Sequence, residues 1–227
     1  MSDEKSLKYN EPWILQRADP YVYRHTDGSY YFTASVPAYD GIVLRRAGSL
    51  AELSGAEEVM VWKKHESGPM SYHIWAPEIH YLFGKWYIYF AGGEAEDIWK
   101  IRPYVLECSG DDPLTDEWVE LGKMKRAAED EFSFEAFSLD ATVFENKGEY
   151  YYVWAEKVGV GKMISNLYIA KMESGNQLKT VQVLLTTPDY DWERKGFWVN
   201  EGPAVIHHDG KMFLTYSASE TGVDYCV

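Results

Sequence analysis

The 227-residue chain carries 22 Lys and Arg against 36 Asp and Glu, a net charge of -14. No basic run offsets that charge, so nucleic-acid phosphates and anionic membrane surfaces are excluded as partners and a neutral or cationic small molecule is expected. Hydrophobic residues make up 46 % and aromatics 16 %, with 9 Trp and 18 Tyr, a composition that suits a folded core, β-strands and flat ligand faces.

In chain order, the opening "MSDEKSLKYNEPW" lacks an apolar stretch, and nowhere does an apolar run approach the roughly 18 residues of a membrane span. A cytoplasmic protein is the expectation from these residues. The first patterned segment is "DPYVYRHTDGSYYFTAS" from Asp19, in which two runs of alternating apolar residues flank the turn at Gly28. A third strand-like run, "GIVLRRA", follows from Gly41, and "LAELSGAEEV" has room for one short helical turn. The hairpin then recurs as "APEIHYLFGKWYIYFAG" from Ala76, turning at Gly84, with "IRPYVLECS" as its third strand. After the acidic stretch "AEDEFSFEAF", expected to be a solvated loop, "SLDATVFENKGEYYYVWAE" repeats the hairpin around Gly148, and "NLYIAKM" from Asn166 follows. "GPAVIHHDGKMFLTYSAS" from Gly202 turns at Gly210, and "TGVDYCV" reads as the third strand of that unit.

Hairpin glycines recurring about every 60 residues, each followed by further strands, indicate radially repeated sheets, an all-β propeller. The repeat arithmetic predicts a single domain over residues 1–227, a five-bladed β-propeller truncated at its C-terminus with about three and a half blades present. An unpaired blade edge would favour a homo-oligomer. Cys108 and Cys226 are far apart and without metal-type spacing, so both are expected to be buried or inert. The six histidines show no ligand spacing and predict no catalytic zinc, and His207 with His208 lies beside a solvated turn.

Aligning the hairpins puts Asp19, Ala76, Asp140 and Gly202 at one position, with Glu201 one residue before the last. First strands of propeller blades line the central channel, so Asp19, Asp140 and Glu201 should meet there. Mutual repulsion and desolvation would raise the pKa of at least one. Such a site can hold an acid and a base together, as glycosidic bond hydrolysis requires, or it can ligate Ca²⁺ through oxygens.

"ADPYVY", "WAPEIHYLFGKWYIYF", "SLDATVF" and "NEGPAV", occurring in that order, resemble glycoside hydrolase family 43 over about residues 14 to 227. The resemblance implies a five-bladed propeller acting on arabinose- or xylose-containing oligosaccharides with inversion. It implies Asp19 as general base, Glu201 as general acid and Asp140 as the carboxylate that orients the acid and tunes its pKa. Within the family the sequence is most similar to exo-acting α-L-arabinofuranosidases. A β-xylosidase, an endo-arabinanase and an inactive sugar-binding propeller are the alternatives. WD-repeat signatures of a protein-interaction propeller are absent from the sequence. No cofactor is required by this chemistry, and a structural Ca²⁺ in the channel is the one ion considered. Trp75, Phe32, Phe137, Ser138 and Trp198 are the substrate-binding candidates, whereas Glu78, two positions further into its strand, is assigned a structural bond to the backbone or a neighbouring blade.

Overall fold

The computed structural model describes residues 12–158 and 164–227. Each aromatic hairpin opens an antiparallel sheet whose strands follow chain order. The first sheet is β1 (Ala18–Arg24), β2 (Tyr30–Ser35), β3 (Gly41–Ala47) and β4 (Val59–Lys63), and a short 3-10 turn, Leu50–Gly55, joins the last two. The second is β5 (Tyr72–Leu82), β6 (Lys85–Glu94), β7 (Asp97–Cys108) and β8 (Val119–Lys123). In the third, β9 (Ser138–Asn146) pairs with β10 (Glu149–Lys157) and β10 with β11 (Ser165–Ser174), which also pairs with β12 (Gln177–Leu178) and β13 (Val183–Thr186). The fourth is the hairpin of β14 (Asn200–His208) and β15 (Lys211–Ala218).

The first strands neighbour one another in sequence order, β1 beside β5, β5 beside β9 and β9 beside β14. The sheets therefore stand around a common axis as propeller blades, each with its first strand innermost.

Apolar faces of successive blades make the core. Ile42, Leu44 and Tyr31 of the first blade pack with Trp86, Ile88 and Phe90 of the second, and Tyr89 and Val105 of the second pack with Tyr152, Trp154 and Tyr168 of the third. Flat rings fill the wedge between twisted sheets at large buried area per residue. Gly175, between β11 and β12, marks how tight the second contact is. Its carbonyl accepts the Tyr89 hydroxyl at 2.7 Å, and a Cβ there would come within 2.1 Å of the Tyr87 ring. Gly175→Ala should therefore destabilise the fold by about 2 kcal/mol through overpacking, lowering Tm by about 4–8 °C in a thermal melt. An unchanged Tm would mean that the interface between these blades yields freely.

Two expectations are corrected. "TGVDYCV" does not form a third strand among the described residues. It turns at Gly222, and only Cys226 pairs back, bridging Ala218 through two backbone hydrogen bonds. Both cysteines are free, Cys108 buried and Cys226 exposed. The acidic stretch before β9 is a packed segment rather than a solvated loop. Phe134 enters the core, and buried Asp130 accepts the backbone N–H groups of Phe132, Ser133 and Gln182. The buried Glu156 carboxylate accepts the N–H groups of Phe134 and Ala136 and the Trp154 indole. Asp130 within the segment and Glu156 on β10 thus satisfy its backbone donors, whereas Glu129, Glu131 and Glu135 are exposed.

Candidate active site

Each innermost strand breaks its register with its neighbour at the same place. The break falls between Ala18 and Tyr21 in β1, between Trp75 and Glu78 in β5, between Leu139 and Thr142 in β9, and between Glu201 and Ala204 in β14. At each break one residue is left-handed: Asp19 at φ 49°, Ala76 at 45°, Asp140 at 50° and Gly202 at 58°. The aligned positions are thus four copies of one bulge, a device that re-aims a side chain. Left-handed backbone costs an L-residue on the order of 1 kcal/mol, least for Asp and Asn, and it persists where the surroundings enforce it; glycine adopts it freely.

The bulges also support one another. Ala76 N–H donates to the Ser35 hydroxyl at 2.8 Å, and that hydroxyl donates to Asp19 Oδ2 at 2.7 Å. Gly202 N–H donates to Asp140 Oδ2 at 3.1 Å. A bulge amide on one blade therefore orients, directly or through Ser35, a carboxylate on the blade before it.

Asp19, Asp140 and Glu78 line a cavity of about 360 Å³ along the axis, together with Tyr21, Gly202 and Tyr225. Glu201 lines the adjoining cleft of about 660 Å³, walled by Trp75, Trp99, Phe137, Lys157, Phe197 and Val199. Burial pushes the Asp140 carboxyl well above the usual carboxylate range, and the charges of Glu201 and Asp19 push it further, against a smaller opposing pull from the Gly202 N–H. Burial also lifts Glu201 to about 7, with the Asp19 charge adding to the rise and the Tyr225 hydroxyl, 3.0 Å from Oε1, opposing it. A carboxyl titrating near neutrality can hold a proton for transfer at physiological pH.

Because the Tyr225 hydroxyl bonds to the ionised form, Tyr225→Phe should raise the Glu201 pKa further and move the alkaline limb of the pH–rate profile upward by about half a unit to one unit. A downward shift would assign that limb to another group.

The structure brings Asp19, Asp140 and Glu201 together as expected and also places Trp75 and Phe137 on the cleft wall. Three other candidates lie elsewhere. Phe32 is 1 % exposed and packs with Ala34 and Leu53 inside the first blade. Ser138 is fully buried and donates to the Ala136 carbonyl. Trp198 faces away from the cleft and carries the Arg194 guanidinium 4.6 Å over its ring, while Phe197 and Val199 on either side line the wall. Ser138 opens β9 one residue after Phe137, and Trp198 stands between Phe197 and Val199, so each is one position out of step with the side chains that reach the cleft.

Glu78 has the structural bonds expected of it. Its carboxylate meets His80 Nε2 at 2.9 Å and the Thr142 side chain on the next blade, and the far nitrogen of His80 lies 3.4 Å from the Tyr21 hydroxyl. Burial raises the Glu78 pKa. Among the described residues, no three His, Cys, Asp or Glu side chains are grouped as metal ligands. Ser35, Tyr225 and Trp99 escaped sequence reasoning. The first two are isolated hydroxyls brought in over long sequence separations. Trp99 stands at the start of a blade's third strand, outside the hairpin repeat.

The sequence matches the family described as Glycosyl hydrolases family 43 over residues 9–227. It is 48 % identical over 219 residues to the extracellular exo-α-(1→5)-L-arabinofuranosidase of Streptomyces chartreusis, covering 96 % of this chain and 65 % of that protein. Identity to the similarly named protein of Streptomyces avermitilis is 47 %, covering 98 % of this chain and 45 % of that one. The crystal structure of an α-L-arabinofuranosidase from Lactobacillus brevis superposes with a TM-score of 0.84 at 51 % identity, over 95 % of this chain and 67 % of that one. The chain thus spans from under half to about two thirds of the length of these relatives. The expectation of a cytoplasmic protein is corrected by the two Streptomyces relatives, both named as extracellular. That expectation rested on the opening residues alone, and a folded propeller of either compartment is built from the same strands and turns.

Proposed function

Since the chain belongs to glycosyl hydrolase family 43, we propose that it releases terminal α-L-arabinofuranosyl residues from arabinan- or arabinoxylan-type oligosaccharides with inversion, acting outside the cell as its Streptomyces relatives are named to do. The observation that carries this reading is the pairing of two carboxyl environments around one channel. Glu201 is lifted to about 7 and opens on an aromatic cleft, while Asp19 lies on the adjoining axial cavity with one oxygen held by Ser35.

In the proposed reaction Asp19 takes a proton from a water molecule as that water attacks the anomeric carbon. The bond from that carbon to the leaving oxygen breaks, and the oxygen takes the Glu201 proton. Proton exchange with solvent then restores both carboxyls. Asp140 acts through position and charge: it fixes the Gly202 N–H beside Glu201, and its proximity keeps the local affinity for protons high. Trp75 and Phe137 present flat faces on which a sugar ring can stack.

The reading is tested by hydrolysis of p-nitrophenyl α-L-arabinofuranoside and p-nitrophenyl β-D-xylopyranoside side by side. Arabinoside turnover well above xyloside turnover is expected. The reverse preference would make the protein a xylosidase, and arabino-oligosaccharide binding without turnover of either would make it a binding propeller.

A further inference from the structure

Lys157 ends β10 on the cleft wall, and the proposed mechanism does not use it. Its Nζ lies 4.9 Å from the centre of the Phe137 ring, and among the described residues no carboxylate pairs with it. Burial alone perturbs this ammonium, lowering its pKa. An ammonium has three donors and no acceptor, and one drawn partly out of water beside aromatic walls needs oxygen partners, which no described residue supplies here. Trp99, 61 % exposed, stands across the same cleft with its ring centre 6.4 Å from that of Trp75 and 5.3 Å from that of His73.

The cleft also has a direction, a point that rests on the function proposed above. Of the three carboxylates only Glu201 lines it, while Asp19 and Asp140 line the axial cavity. In an inverting displacement the acid stands on the side of the departing oxygen and the base on the opposite face of the ring. The leaving portion of the substrate therefore departs into the cleft.

We propose that Lys157 is a specificity-determining residue of a leaving-sugar site in this cleft, donating hydrogen bonds to the hydroxyls of a neutral sugar that rests against Trp99 and Phe137. The site favours oligosaccharide leaving groups over aglycones without hydroxyls. The cation–π contact with Phe137 holds the ammonium over the ring without consuming its donors. Arginine at this position would retain charge and donors, whereas methionine would keep the apolar stem alone.

The test compares wild type, Lys157→Met and Lys157→Arg on α-1,5-linked arabinotriose and on p-nitrophenyl α-L-arabinofuranoside. Lys157→Met should lower the ratio of kcat/KM for arabinotriose to that for the nitrophenyl glycoside about tenfold, mostly through KM, and Lys157→Arg should restore most of it. Arabinotriose binding, followed by tryptophan fluorescence, should likewise weaken about tenfold when Lys157→Met is added to Glu201→Gln. An unchanged ratio, or a parallel fall on both substrates that arginine does not restore, would overturn the proposal. If wild type turns over neither substrate while Glu201→Gln still binds arabinotriose in a Lys157-dependent way, the leaving-sugar site stands and the hydrolase reading fails. Absence of both turnover and binding would overturn both.

Discussion

Glu201→Gln should cut turnover of arabino-oligosaccharides by on the order of 10³-fold or more, yet leave much of the rate on an arabinofuranoside whose aglycone is dinitrophenolate. The reason lies in where the proton is needed. A sugar alkoxide is a poor leaving group and must be protonated as its bond breaks, whereas dinitrophenolate departs unassisted. Glutamine preserves the shape of the side chain, and it can still accept the Tyr225 hydroxyl that bonds Oε1 at 3.0 Å. What it removes is the proton that burial keeps on Glu201 up to about pH 7. Asp19→Asn should behave differently and slow both substrates by a comparable factor, because water must be activated whichever group leaves. Steady-state kinetics of the two variants on the two substrates give the comparison. Equal losses on both substrates for Glu201→Gln would remove it from the acid role, and leaving-group dependence for Asp19→Asn would exchange the two assignments.

Asp140→Asn should stabilise the fold while removing most of the activity. Asparagine tolerates the left-handed backbone at φ 50° and keeps an acceptor for the Gly202 N–H, so the bulge survives. It removes a carboxyl whose folded-state pKa is pushed up by burial, by Glu201 and by Asp19. A raised folded pKa means that the native state binds the proton more tightly than the unfolded chain. Its contribution is therefore complete below about pH 4, the ordinary carboxyl value, and is lost as pH rises toward and through the elevated folded value. Glu201 acts in the same sense, and lifting it from 4.5 to about 7 corresponds to roughly 3 kcal/mol lost above pH 7. At pH 8 the Asp140→Asn variant should be more stable than wild type, seen as a higher Tm, and at pH 4 the gain should vanish. A variant less stable than wild type at pH 8 would mean that the carboxylate makes bonds of its own that outweigh the repulsion. Activity lost with stability gained is the pattern of a site that stores unfavourable charge for use.

The carboxylates were legible in the sequence because the repeat is. Glycine turns and alternating aromatics put Asp19 and Asp140 in one register, and that register is visible in the structure as a shared left-handed bulge. The bulge itself had no readable signal, since Ala76 occupies it with an ordinary strand sequence and gains only the hydrogen bond to Ser35. The substrate-binding candidates divided by single positions. Phe137 and Trp75 reach the cleft, but Ser138 and Trp198 sit one position off and face away. Deciding parity near a bulge requires knowing where the extra residue falls, which alternation in the sequence does not reveal. "TGVDYCV" looks extended and so places Tyr225 in a strand, whereas the backbone turn at Gly222 carries its hydroxyl inward to Glu201.

In the proposed reaction Asp19 and Glu201 act from opposite sides of one glycosidic bond. Proton NMR of the reaction with an α-L-arabinofuranoside, recorded within the first minutes, reads this out. β-L-arabinofuranose should accumulate first and then mutarotate. First appearance of the α-anomer would show retention and contradict it, because retention requires one of these carboxylates to attack the sugar instead of activating water.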